Sequence, residues 1–183
     1  IDTAEGAHKE IENILQRMRE LAVQGSNATN SSADRANLTA EFSALRTEID
    51  RIADTTTWAG QNLLNGNSTV SFQFQIGGKS GQTLTQVVKG VGISGKVITL
   101  TSIADINTLT KASAAIAKID TSITNLNTQR ANLGAASNRL DYTVNNLTNI
   151  SIQLEGGRGR IEDADFAMES TSLAKSQILQ QAS

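Results

Sequence analysis

The chain has 183 residues, enough for one domain with a sizeable core or for an elongated element beside a small lobe. Its net charge of -2, with 19% charged residues, offers no clustered positive surplus for nucleic acid or anionic lipid. The absence of cysteine excludes disulfides and thiolate metal sites, and the absence of proline favours long uninterrupted elements.

No run of residues approaches the roughly 20 apolar positions of a membrane helix, and the N-terminus lacks the regions of a signal peptide. Membrane insertion is therefore not expected. Aromatic residues make up only 3% of the chain, so the core must come from Ile, Leu, Val and Ala. Such residues suit narrow helical seams.

The first predicted element is a helix over Glu5 to Gln24. Its apolar residues Ile11, Leu15, Met18 and Ala22 fall on one stripe, widened by Ile14 and Leu21. The following stretch, Gly25 to Asp34, is rich in Ser, Asn and Thr, which compete for backbone hydrogen bonds and can cap a new helix. A second helix is predicted where Leu38, Phe42, Leu45, Ile49 and Ile52 alternate steps of four and three. Two helices so connected pack antiparallel most easily.

After Trp58 and Gly60 the period changes. Val70, Phe72, Phe74 and Ile76 alternate with polar residues, as in a half-buried strand, and Gly77 and Gly78 mark a turn. From Gln82 to Leu100, aliphatic residues among glycines predict further short strands in a small hairpin lobe. From Ile106 a heptad seam runs through Leu109, Ala112, Ile116, Ile119, Ile123, Leu126, Leu133, Leu140, Val144, Leu147 and Leu154, with Arg130, Ser137 and Ser151 between them. The helix it predicts would be on the order of 70 Å long. The segment GGRGR at 156–160 predicts a hinge, followed by another amphipathic helix through Phe166, Leu173 and Ile178.

The expected fold is mainly α with a small β lobe: an elongated antiparallel helical bundle or coiled coil plus a short β-hairpin region. Its parts are an N-terminal helical part at 1–66, the β lobe at 67–105, a long helix at 106–155, and a hinge with a further segment at 156–183.

Few residues could carry chemistry. His8 is the only histidine and precedes Glu12 by one turn. Two ligands make a poor metal site, so the expected role is a solvated His on a helix face. Glu48 with Asp50, and Glu162 with Asp163 and Asp165, are read as helix-end and pairing carboxylates rather than catalytic ones. GGRGR lacks both a preceding strand and a following Lys-Ser or Lys-Thr, so it is not a phosphate loop. Sequons at Asn27, Asn30, Asn37, Asn67, Asn146 and Asn149 are expected by chance in a chain rich in Asn, Ser and Thr. No nucleophile, base and orienting group assemble into a catalytic set, and no cofactor is expected.

Five collinear stretches nevertheless carry a specific resemblance: LQRMRELAVQGSNATN at 15–30, EIDRIADTTTWAGQNLLNG at 48–66, FQIGGKSGQTL at 74–84, NRLDYTVNNLTN at 138–149 and RIEDADFAMESTSLAKSQILQQAS at 160–183. Together they make the chain similar to bacterial flagellins. The resemblance implies a D1-like rod in a secreted, extracellular subunit of the bacterial flagellum, polymerised for motility. It also implies dealings with other flagellin subunits, with flagellar cap and hook-junction proteins and with an export chaperone. By the same resemblance, the chain begins within the family's N-terminal conserved region and stops short of its C-terminal helix. QRMRELAV at 16–23 is similar to the region recognised by the innate receptor TLR5, which implies Gln16, Arg17, Leu21 and, on the second helix, Glu41 as subunit or receptor contacts. The alternative reading is a cell-surface homologue that binds a polysaccharide or a host receptor.

Overall fold

The structure, a computed structural model, describes residues 1–65, 69–93, 97–98, 100 and 104–181. The sequon at Asn67 lies outside the described residues. The chain divides into two compact units, Ile1–Asn138 and Arg139–Ser183, so the division falls inside the segment read from sequence as one long helix.

Unit 1 begins with helix α1, Asp2–Gly25, whose buried residues are Ala4, His8, Ile11, Leu15, Met18, Leu21, Ala22 and Gly25. Helix α2, Ser32–Thr55, starts earlier than the apolar spacing indicated. Ser31 and Asp34 form a reciprocal capping box that satisfies backbone donors of the first turn. The connection is thus shortened to Ser26–Ser31, and α1 and α2 fold back on one another. Phe42, Ile49 and Ala53 are fully buried on α2, flanked by partly buried Leu38, Leu45 and Ile52.

Next comes a minimal hairpin that periodicity could not reveal, β1 (Thr57–Trp58) with β2 (Gln61–Asn62). Both turn residues have positive φ, 50° at Ala59 and 78° at Gly60. This is the backbone that a two-residue hairpin of matching twist requires. Strands β3 (Thr69–Gln75) and β4 (Thr83–Lys89) form a separate antiparallel pair, with Phe72 opposite Gln86 and Phe74 opposite Leu84. The strands expected beyond Lys89 are absent from the described residues there. Val91, Ile93, Val97, Ile98 and Leu100 are instead buried in irregular backbone.

Side chains rather than further strands tie this lobe to the helices. The Asp50 carboxylate accepts from the Ile93 amide at 2.7 Å, and the Gln129 amide donates to the Val87 carbonyl at 3.0 Å. Asn125 likewise donates to the Val97 carbonyl at 3.2 Å. Such bonds satisfy backbone groups that no ladder reaches.

Helix α3 runs from Leu109 to Gln181. Within unit 1 its fully buried residues are Ala112, Ala115, Ile119, Ser122, Leu126, Gln129, Leu133 and Ala136. The expected seam through Ile116, Ile123, Arg130 and Ser137 is therefore rotated, and those residues are only half-buried. The cause is that α3 meets α1 on one side and the β lobe on the other. Its covered stripe is wider than a two-helix seam, and Ser122 closes its hydroxyl onto the Lys118 carbonyl at 2.8 Å.

Unit 2 is the remainder of α3. The break expected at GGRGR is not present: the helix continues through Gly156, Gly157 and Gly159. Glu162, Asp163 and Asp165 accordingly lie mid-helix, not at a helix start, and Arg158 bonds Glu162 one turn along at 2.8 Å. Nearly every described residue of unit 2 is exposed, including Ile161, Phe166, Met168 and Leu173.

Candidate functional site

On α1, residues 16, 17, 19 and 20 face away from the buried stripe and are exposed. The Arg17 guanidinium donates to Glu41 on α2 at 2.9 Å and to Glu20 one turn along at 2.9 Å. These carboxylates, Glu20 foremost, raise the Arg17 pKa. Arg17 and Glu41 remain about half exposed, so the pair is a surface feature spanning two helices rather than a buried lock. Gln16 lies beside it, exposed.

Leu21 does not join this surface. It is 1% exposed and packs in the core, because it belongs to the inner stripe with Met18 and Ala22. Its effect on the patch is to hold α1 in place. Glu20, which stands beside Arg17 and Arg19 in the sequence, does join, paired with Arg17 three residues before it.

Next along α1, Arg19 donates to Asp120 on α3 at 2.6 Å. Farther toward the start of the helix, Arg130 of α3 bonds Glu5 at 2.9 Å and also bonds Glu12. Arg130 had been read only as an interruption of an apolar seam. It is instead the cation on which two α1 carboxylates converge.

Between those carboxylates lies His8, and here the expectation of a solvated imidazole is overturned. His8 is 0% exposed and neither ring nitrogen has a hydrogen-bond partner. Burial first, and the Arg130 charge second, lower its pKa to about 4. A sequence signal was present: extended backwards from Ile11, the steps of four and three land on His8 and then Ala4.

Ile1, Ala4, Trp58, Leu63, Phe72 and Phe74 line an apolar hollow of about 160 Å³. No ionisable side chain lines it. Among the described residues no three His, Asp or Glu side chains converge where a metal could be held, and no helix is long and apolar enough to cross a membrane.

Many of the exposed large apolar side chains are on α3. In unit 1 Ala112, Ile119, Leu126 and Leu133 repeat every seven residues, and in unit 2 Leu147, Leu154, Ile161 and Met168 do the same. The first four are 0% exposed, whereas Leu147 is 37%, Leu154 68%, Ile161 68% and Met168 74% exposed. The apolar residues of unit 1 are thus covered and those of unit 2 exposed. Large apolar side chains exposed at this regular spacing point to an interaction face.

Comparison with known proteins agrees with that geometry. Residues 1–69 match the bacterial flagellin N-terminal helical region and residues 116–183 the bacterial flagellin C-terminal helical region. The flagellin of Halalkalibacterium halodurans is 43% identical over all of this chain, which spans 66% of that protein's length. The flagellin of Listeria innocua is 38% identical, again over the whole chain and over 68% of its own length. A crystal structure of Bacillus cereus flagellin matches with a TM-score of 0.69 and 33% identity, covering 79% of this chain and 82% of that one.

Proposed function

The chain belongs to the bacterial flagellin family, whose members build the extracellular flagellar filament, and from that premise we propose that it assembles through the open heptad column of α3. The single observation that carries this reading is that Leu147, Leu154, Ile161 and Met168, repeating every seven residues in unit 2, are 37% to 74% exposed. In unit 1 α1 covers the apolar residues of α3; for the exposed ones of unit 2 another flagellin segment serves. Burying Leu147, Leu154, Ile161 and Met168 in this way stabilises assembly by roughly 1.5–3 kcal/mol for each side chain fully covered. The role is structural.

The absence of native cysteine makes the test direct. Copies carrying Leu154→Cys are expected to cross-link rapidly under mild oxidation at high concentration. Copies carrying Asn149→Cys, exposed but off the column, should remain largely monomeric. Equal cross-linking at both positions would overturn the proposal.

The surface formed by Gln16, Arg17, Glu20 and Glu41 is proposed as a second contact, toward neighbouring subunits first and toward TLR5 second. Its support is that a charged pair joins two helices while staying about half exposed. Arg17→Asp is expected to weaken both filament formation and signalling in a TLR5 reporter cell. Unchanged values in both assays would remove this surface from the account.

A further inference from the structure

The α1–α3 seam of unit 1 contains one titratable group that no other feature of the fold requires. His8 occupies a core position of α1, flanked along the helix by Ala4 and Ile11, and both of its ring nitrogens are buried without hydrogen-bond partners. Glu5 and Glu12 lie one turn to either side, both held by Arg130 from α3. Glu5 is only half used, because Oε1 takes the Arg130 bonds while Oε2 is buried and unpartnered.

Several charged groups on the other elements have partners elsewhere, while Arg46 of α2 has a buried, unpartnered Nε. On α2, Glu48 pairs with Arg51, Asp50 accepts the Ile93 amide and Asp54 accepts from Asn65. On α3, Asp120 binds Arg19, and just before that helix Asp105 binds Lys111.

We propose that His8 is a proton-operated latch on the α1–α3 seam, closed while the imidazole is neutral and released when it becomes a buried cation facing Arg130. As a neutral ring His8 substitutes for an aliphatic residue, at the cost of its unmade hydrogen bonds. As imidazolium it carries two obligatory donors and a charge of the same sign as the guanidinium. A buried acceptor without a partner one turn away on α1 is Glu5 Oε2. Taking it draws Glu5 away from Arg130 and leaves Glu12 as that cation's remaining anchor. If Glu5 stays, the imidazolium must reach water, and the first turns of α1 must lift. Either way the cross-link between the helices weakens.

The direction with pH follows from burial and the Arg130 charge, which lower the pKa from 6.5 to about 4. A lowered histidine pKa means that the unfolded chain binds the proton more readily than the folded one. Full stability therefore holds above about pH 6.5 and is lost as pH falls toward 4. Over that interval this one group reduces the folded-to-unfolded ratio by about two orders of magnitude.

A single histidine gives an unambiguous reporter. Proton NMR of the imidazole across pH 7.5 to 3.5, on the whole chain, is expected to show no folded-state titration above pH 5. Thermal melts at pH 7 and pH 4.5 should show a smaller drop in Tm for His8→Met than for the native sequence. Amide exchange in residues 4–12 should accelerate in mild acid in the native chain and much less in the variant. A folded-state imidazole midpoint between 6 and 7, or His8→Met melting with the native pH dependence, would overturn the latch. If His8→Met does not fold, the imidazole titration of the native chain decides alone.

Discussion

Gly25, the last residue of α1, stands so close to Ala112 that a methyl group added to Gly25 would lie 3.5 Å from the Ala112 Cβ, with Ile106 at the same distance. This is ordinary van der Waals contact, and the backbone at Gly25 needs no positive φ. Gly25→Ala should therefore be neutral or stabilising by up to about 1 kcal/mol, through helix propensity and a less flexible unfolded chain. Gly25→Leu has no such room and should destabilise by about 1–3 kcal/mol. Thermal melts of the pair check the sign reversal; a stable Gly25→Leu would mean that α1 and α3 are not in close contact there.

Removing Arg130 alone leaves Glu5 and Glu12 near one another, partly buried and without their cation. Arg130→Met is expected to cost on the order of 2 kcal/mol, less than a fully buried pair because Arg130 keeps 26% of its side-chain exposure. Adding Glu5→Gln and Glu12→Gln should restore much of that loss. Urea denaturation curves compare the two, and a triple variant weaker than the single one would refute the charge argument.

The turn between β1 and β2 places a non-glycine residue, Ala59, at φ 50°. An alanine there bears a steric cost on the order of 1 kcal/mol that asparagine tolerates better. Ala59→Asn, creating Asn-Gly, should raise Tm without altering the helical signal. A fall in Tm would show that the turn is not strained in solution.

In unit 2, a Cβ at Gly156, Gly157 or Gly159 would meet nothing within 4 Å, and all three lie inside α3. Replacing each with alanine should stabilise the local helix by about 1 kcal/mol per site. Slower amide exchange across residues 150–165 is the readout. Unchanged exchange would indicate that the segment is not helical in solution.

Ser31→Ala removes half of the capping box and should cost about 1 kcal/mol. Ser31 also lowers the Asp34 pKa, first through its hydroxyl and then through its backbone amide. A depressed carboxylate pKa means this contribution is present above the ordinary carboxylate range and lost as pH falls through the folded value. The stability difference between native and variant should therefore narrow in strong acid, as read by melts at pH 7 and pH 2.5.

Much of the fold could be read along the chain because the signals are local. The spacing of Ile11, Leu15 and Met18 and the alternation at Val70, Phe72 and Phe74 each identify an element and its apolar face, and the heptads from Ala112 onward identify a helix. The five collinear stretches identified the family. What failed had causes outside those windows. GGRGR looked like a hinge because glycine is a poor helix former, yet helical hydrogen bonding continues through it. The turn at Ala59 was hidden because alanine gives no sign of a left-handed backbone.

The exposed patch was only partly legible. Arg17 and Glu41 were both named from the resemblance, and the fold brings them within 2.9 Å. Leu21 was named beside them, but helical geometry turns it inward, where it is 1% exposed.

By itself the sequence determined the element types, the aliphatic character of the core and the family, since all three depend on residue spacing within a few turns or on matched segments. Only the tertiary structure decided that His8 is buried, that Arg130 binds Glu5 and Glu12 more than a hundred positions away, and that Leu126 and Leu133 are covered while Leu154 and Ile161 are exposed. Those outcomes depend on which surfaces meet, and helical periodicity names a face without naming what covers it.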